Sequence, residues 1–170
     1  IDGFVLLTSA MAERLKLQAG QFTVVEGIAS PIGTSTEAPK AGKRVFLYSG
    51  TLARRYGITE LVSSFGKVAA PDIELWICGD GDARDLVIEA AQADTRIKYL
   101  GQVSRDHALK LQTQATVLVN PRCPSGEFTK YSFPSKTMEY MASGRPVLMH
   151  RLPGMPVEYL PHFFDPGEAP

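Results

Sequence analysis

The feature that most constrains this chain is an alternation of short runs that are apolar from end to end with stretches whose apolar residues recur at helical spacing. The runs are Phe4 to Leu7, Thr23 to Val25, Val45 to Tyr48, Ile73 to Cys78, Ile97 to Leu100, Thr116 to Val119 and Val147 to Met149. The helical patterns cover Ala10 to Leu17, Ile58 to Val68, Ala83 to Ala93, Asp106 to Thr113 and Ser135 to Ser143. A strand that is apolar on both faces must be covered on both, and strands alternating with helices meet that demand as a parallel sheet between two helical layers. The expected fold is therefore α/β, a doubly wound parallel (Rossmann-like) sheet.

A chain of 170 residues at 44 % hydrophobic can bury an adequate core in one domain without metal or disulfide staples. Cys78 falls in an apolar run and Cys123 in a Pro-rich loop, with no CxxC spacing, so both are expected to be free thiols in a reducing, cytoplasmic compartment. The 18 basic residues balance 18 acidic ones, so no global field draws the chain to nucleic acid or to an anionic bilayer. No apolar run reaches the ~18 residues of a transmembrane segment, and no signal-peptide pattern opens the chain. It starts at Ile1, as a piece of a longer protein would. Residues 28–42 hold Pro31, Gly33, Pro39 and Gly42 with little to bury, so they read as a hinge or linker between residues 1–27 and a core unit covering 43–170.

In open α/β sheets ligands settle beyond the carboxyl ends of the strands. After Tyr48, Gly50 and Thr51 let the backbone approach a ligand and Arg54 and Arg55 offer charge for phosphate; a tight turn with solvated arginines fits the same residues. After Cys78, Gly79-Asp80-Gly81-Asp82 lacks the third glycine of a dinucleotide fingerprint, whose place Arg84 takes. As an Asp-x-Asp metal motif it competes with a turn that caps the following helix, so no metal site is assigned. Gly101 and Gln102 open the next loop, where glycine suits a flat base and Ser104 is expected to cap a helix. The longest loop, Asn120 to Tyr131, has the length of a binding element. It delivers Lys130, Tyr131 and Ser132 to the start of a helix whose free amides favour a diphosphate.

That helix lies in Ser132-Phe133-Pro134-Ser135-Lys136-Thr137-Met138-Glu139-Tyr140-Met141-Ala142-Ser143-Gly144-Arg145-Pro146-Val147, which reads as loop, helix, turn and buried strand. Glu139 sits one position from Met138 and turns off the apolar seam, as do Ser135 and Lys136. One carboxylate there suits the paired hydroxyls of a ribose. The competing reading is an exposed i,i+3 pair with Lys136.

This string resembles the donor-site segment of group 1 (family 4) glycosyltransferases, particularly the bacterial polysaccharide branch with its Phe-Pro-Ser-Lys-x-x-Glu-Tyr-x-x-x-Gly-x-Pro-Val pattern. Arg44 to Phe65, Glu74 to Gly81 and Ile97 to Val103 resemble further family segments in order and spacing. The resemblance implies the carboxyl-terminal, donor-binding domain of a GT-B enzyme, with Asp2 to Gly27 similar to the end of the acceptor domain. It also implies a nucleoside diphosphate sugar as substrate, no cofactor, retention of configuration, and a glycan or lipid-linked acceptor bound by an amino-terminal domain at the cytoplasmic face of a membrane. A GT-B nucleotide-sugar epimerase or a non-catalytic binding module would use a similar helix. Two departures touch the donor site. Tyr131 stands where the family's first motif glutamate is, and Thr51 and Tyr56 stand where it has phosphate-binding Arg and Lys. Arg54, Arg55, Lys130 and Lys136 are the candidates to supply that charge. His107, His150 and His162 read as structural, His150 being nearest a strand's binding end.

Overall fold

The computed structural model describes residues 3–29 and 42–167. Within 30–41 falls most of the expected linker, which lies outside the described residues. Residues 3–29 form a parallel strand-helix-strand unit: β1 (Phe4–Leu6), α1 (Ser9–Leu15) and β2 (Phe22–Val24), paired Phe4 to Phe22. Thr8 Oγ1 donates to the Lys130 carbonyl at 2.8 Å, which joins this unit to the remainder.

The main sheet has five parallel strands in the order β5-β4-β3-β6-β7. They are β3 (Arg44–Ser49), β4 (Ile73–Cys78), β5 (Ile97–Tyr99), β6 (Val117–Asn120) and β7 (Val147–Met149). The helices α2 (Ile58–Gly66), α3 (Arg84–Ala93), α4 (Arg105–Gln114) and α5 (Ser135–Ala142) fill the crossovers. Both faces of the central strands are apolar, which explains the unbroken apolar runs. On β3, Val45 and Leu47 pack with Leu111 of α4 and Tyr140 of α5, while Phe46 and Tyr48 pack with Ile58 and Phe65 of α2 and Val87 of α3. The period of two sends alternate side chains to opposite layers. The sheet is thus wound on both faces, as expected.

The chain builds outward from β3 to β4 and β5, then returns through α4 to β6 on the other side of β3. The loops after β3 and β6 consequently lead away from each other, and a crevice opens between them. Past β7, the turn Val157–His162 leads to Phe164, whose amide donates to Val147 C=O at 2.7 Å and whose carbonyl accepts from Met149 at 3.0 Å. That bridge caps the outer sheet edge. Among the described residues no helix is long and apolar enough to cross a membrane.

Candidate functional site

The crevice between β3 and β6 holds two adjoining compartments that share Ser49, Gly50, Thr51 and Lys136. One, of about 270 Å³, runs between Tyr56, Asn120 and Arg122 and the start of α5. The other, of about 420 Å³, lies toward β4 and β5 and is lined by Gly79, Gln102, Val103, Arg105 and Glu139. α5 forms the wall between them. It starts after Pro134 with no side-chain cap, and while the Thr137 amide bonds the Pro134 carbonyl at 2.9 Å, those of Ser135 and Lys136 are left for an outside acceptor.

Glu139 is not the exposed surface residue that an i,i+3 pair alone would make it. Its side chain is 16 % exposed, and Oε1 accepts from Lys136 Nζ at 2.7 Å and from Gln112 Nε2 at 2.6 Å. Gln112 is fully buried on α4 and its Nε2 also reaches Ser49 Oγ at 3.3 Å. The hydroxyl of buried Tyr140 in turn accepts from the Ser49 amide at 2.8 Å. A chain of buried polar groups from β3, α4 and α5 therefore sets the direction of the carboxylate. Burial works against the Glu139 charge, but hydrogen bonds from Lys136 and Gln112 and the Lys136 charge outweigh it and hold the carboxyl below its ordinary range.

A carboxyl with a depressed folded pKa binds its proton less readily in the folded state than in the unfolded chain. Its contribution to stability is complete above the ordinary value of 4.5 and fades as pH falls through the lower folded value. The melting-temperature difference between the parent and Glu139→Gln is accordingly expected to be constant near neutrality and to shrink below about pH 4.5. A difference that stays constant down to pH 3 would show that the charge contributes nothing.

Of the other residues picked out from the sequence, Gly50, Thr51, Phe133, Pro134, Ser135 and Lys136 line the first compartment, and Gly79 and Gln102 the second. Phe133 is buried, its ring centroid 5.2 Å from that of Tyr159. Gly81 lines neither compartment and instead packs against the β3 loop, where a Cβ would stand 2.5 Å from the Leu52 carbonyl oxygen. Arg54, Arg55, Lys130 and Tyr131 do not line the crevice, nor does Gly101. Arg54 instead donates its amide to Asp82 Oδ1 at 2.8 Å, and Arg55 covers the Tyr56 ring at 5.0 Å. Neither Asp80 nor Asp82 caps α3, since Asp80 accepts from the Gly81 amide at 2.9 Å and Asp82 from Arg54. Ser104 does cap α4, accepting from the His107 amide at 3.3 Å. His150 faces Asp165 at 3.8 Å, away from the crevice. Cys78 lines the second compartment, and burial pushes its thiol up to about 11, so it is an unreactive wall.

Sequence reasoning missed Arg122. It is only 9 % exposed and lines the first compartment, with its guanidinium carbon 5.1 Å from the Tyr56 ring centroid and 4.8 Å from that of Phe128. Nη2 donates to Ser132 Oγ at 2.6 Å. The signal that could have found it was a basic residue in the long loop that follows β6, the strand flanking the crevice.

A parallel sheet wound on both faces, with uncapped helix amides, a lysine and a buried arginine gathered at its topological switch point, defines a Rossmann-like ligand-binding domain. The family follows from comparison. The model for "Glycosyl transferases group 1" matches residues 43–162, and the chain belongs to that family. Solved GT-B glycosyltransferases share the fold. The apo lipopolysaccharide outer core galactosyltransferase WaaB superposes with a TM-score of 0.72 at 20 % identity, covering 98 % of this chain and 49 % of that one. WaaG, a glycosyltransferase involved in lipopolysaccharide biosynthesis, gives 0.71 at 14 % identity, covering 97 % and 50 %. Anabaena HepE in complex with UDP and glucose gives 0.60 at 17 % identity, covering 90 % and 45 %. The chain thus spans about half the length of these relatives. No curated protein sequence matches it significantly.

Proposed function

We propose that this chain is the donor-binding half of a retaining glycosyltransferase that moves a hexosyl unit from a nucleoside diphosphate sugar to a hydroxyl of a glycan or lipid-linked acceptor. The observation that carries this reading is one helix, α5, presenting uncapped amides to the first compartment and Glu139 to the second. An anion at the amides and a ribose at the carboxylate, about one helical turn apart, would match the diphosphate and the sugar joined to it in a nucleoside diphosphate. The base would lie toward Gln102 and Val103. Two solved relatives, HepE and the pneumococcal O-GlcNAc transferase GtfA, are described in complex with UDP.

In the transfer step the bond from the anomeric carbon to the diphosphate oxygen breaks as the acceptor oxygen bonds that carbon from the same face, and the acceptor's hydroxyl proton passes to the departing diphosphate oxygen. Helix amides and cationic side chains that are already in place stabilise the charge growing on the leaving diphosphate. No divalent metal is required for that task. Residues 1–27 would belong to the acceptor-binding domain, residues 28–42 to the hinge and residues 43–170 to the donor domain. A lipid-linked acceptor would put the whole enzyme at the cytoplasmic face of a membrane. This half alone would bind the donor without transferring it.

A thermal-shift panel of UDP-, GDP- and ADP-sugars in excess chelator tests the reading. One nucleotide is expected to raise the melting temperature, by the equivalent of about 2.7 kcal/mol at 100 times its Kd. The shift should be the same with and without chelator. If no member of the panel binds, this is not a donor domain.

A further inference from the structure

Arg122 is a buried guanidinium whose charge the protein leaves unmatched. Among the described residues its only side-chain hydrogen-bond partner is the neutral Ser132 hydroxyl, and no carboxylate pairs with it. Nε is buried without any acceptor. Burial works against its charge, and the neighbouring Arg55 adds to that. A desolvated cation without a counterion is costly and buried charges are as a rule paired, so an anion entering the compartment would complete this one. The rings of Tyr56 and Phe128 flank the guanidinium through cation–π contacts that use none of its N–H groups, so the donors other than the one given to Ser132 remain for a ligand.

The place is the compartment that also holds Lys136 and the open end of α5. Thr51 and Tyr56, the positions where related sequences are expected to carry their cations, line the same compartment with uncharged side chains. Tyr56 here is a platform for the arginine.

We propose that Arg122 is the principal diphosphate-binding cation of this chain, its charge entering from the β6 loop to replace that absent from the β3 loop. Its fork and the α5 amides would grip the same diphosphate from two sides. The inference deepens the donor-binding reading and rests on it for the nucleoside attached. The diphosphate itself can be tested separately.

Inorganic pyrophosphate is titrated calorimetrically, at low salt and in chelator, into the parent, R122M and R54M. Methionine keeps a flexible apolar stem between the two rings while removing the charge. Arg54 is outside the crevice and controls for loss of net charge. R122M is expected to bind pyrophosphate at least tenfold more weakly than the parent, and R54M to match the parent. Equal affinity in the parent and R122M, equal losses in both variants, or no binding to the parent would overturn the proposal. Should R122M fail to fold, the parent carries the test. The Nε–H resonance of Arg122, assigned against R122K, must shift when pyrophosphate is added, and an unmoved resonance would overturn the proposal. A chain that binds pyrophosphate through Arg122 and no sugar nucleotide in the panel would keep this inference and sink the donor-binding function.

Discussion

Replacing Gly79 by alanine is expected to bring the chain to the edge of unfolding. Gly79 has a φ of +140°, where a side chain is rarely tolerated, and a Cβ there would stand 1.8 Å from the Gly50 carbonyl oxygen. No flexible side chain can yield, because the obstacle is backbone. The same point ties three loops together. The Gly50 amide donates to Cys78 C=O at 3.0 Å, the Gly79 amide to Gly101 C=O at 2.9 Å, and the Tyr99 hydroxyl to Gly79 C=O at 3.0 Å. Relieving the clash means parting β3 from β4 at their carboxyl ends. Dihedral strain plus the lost contacts should cost on the order of 4 kcal/mol or more, against a total stability of about 5–15 kcal/mol for a domain. Urea unfolding of the variant reads this directly, and a loss below about 1 kcal/mol would show that the loops part easily.

Glu139→Gln is expected to remove most nucleotide affinity and little stability. A glutamine keeps the helix and can still accept from Gln112, but it meets Lys136 and the ribose without charge. Losing a hydrogen bond to a charged group costs roughly 1.5–3 kcal/mol, or about a tenfold to hundredfold drop in affinity. The stability cost should be about 1 kcal/mol, more than the nil effect of an exposed pair, because the carboxylate is anchored to a buried amide. In the variant, the nucleotide and its 2',3'-dideoxy analogue should bind nearly alike. Calorimetry on both proteins decides the matter. Parent-like affinity in a folded variant would make Glu139 a structural residue.

The fold was legible because both faces of the sheet are apolar, and every expected strand and helix formed within two residues of its place at each end. β4 and β7 have the very bounds that their apolar runs suggested. Local patterns carry such information, whereas the state of a charge depends on what packs over it. Glu139 looked exposed because Gln112, which shelters it, comes from another helix 27 residues away. Arg122 passed unnoticed since the ring from Tyr56 reaches it only through the fold. Asp80 and Asp82 looked like helix caps because Asp-Gly turns so often precede helices, yet each bonds an amide before the helix begins.

The division of the crevice by α5 has a consequence for how such a protein can change. One rigid helix would read the phosphate and the ribose, so its amides and Glu139 act as a gauge of fixed length that every nucleoside diphosphate satisfies alike. Gln102 and Val103, which line the second compartment, sit on a separate loop after β5, and Arg122 sits on another after β6. Under this reading, the base can be exchanged by mutating one loop and the charge relocated by mutating the other, with the gauge untouched. With Arg122 in its proposed role, a relocation of charge from positions 51 and 56 to 122 would be what such independent parts permit.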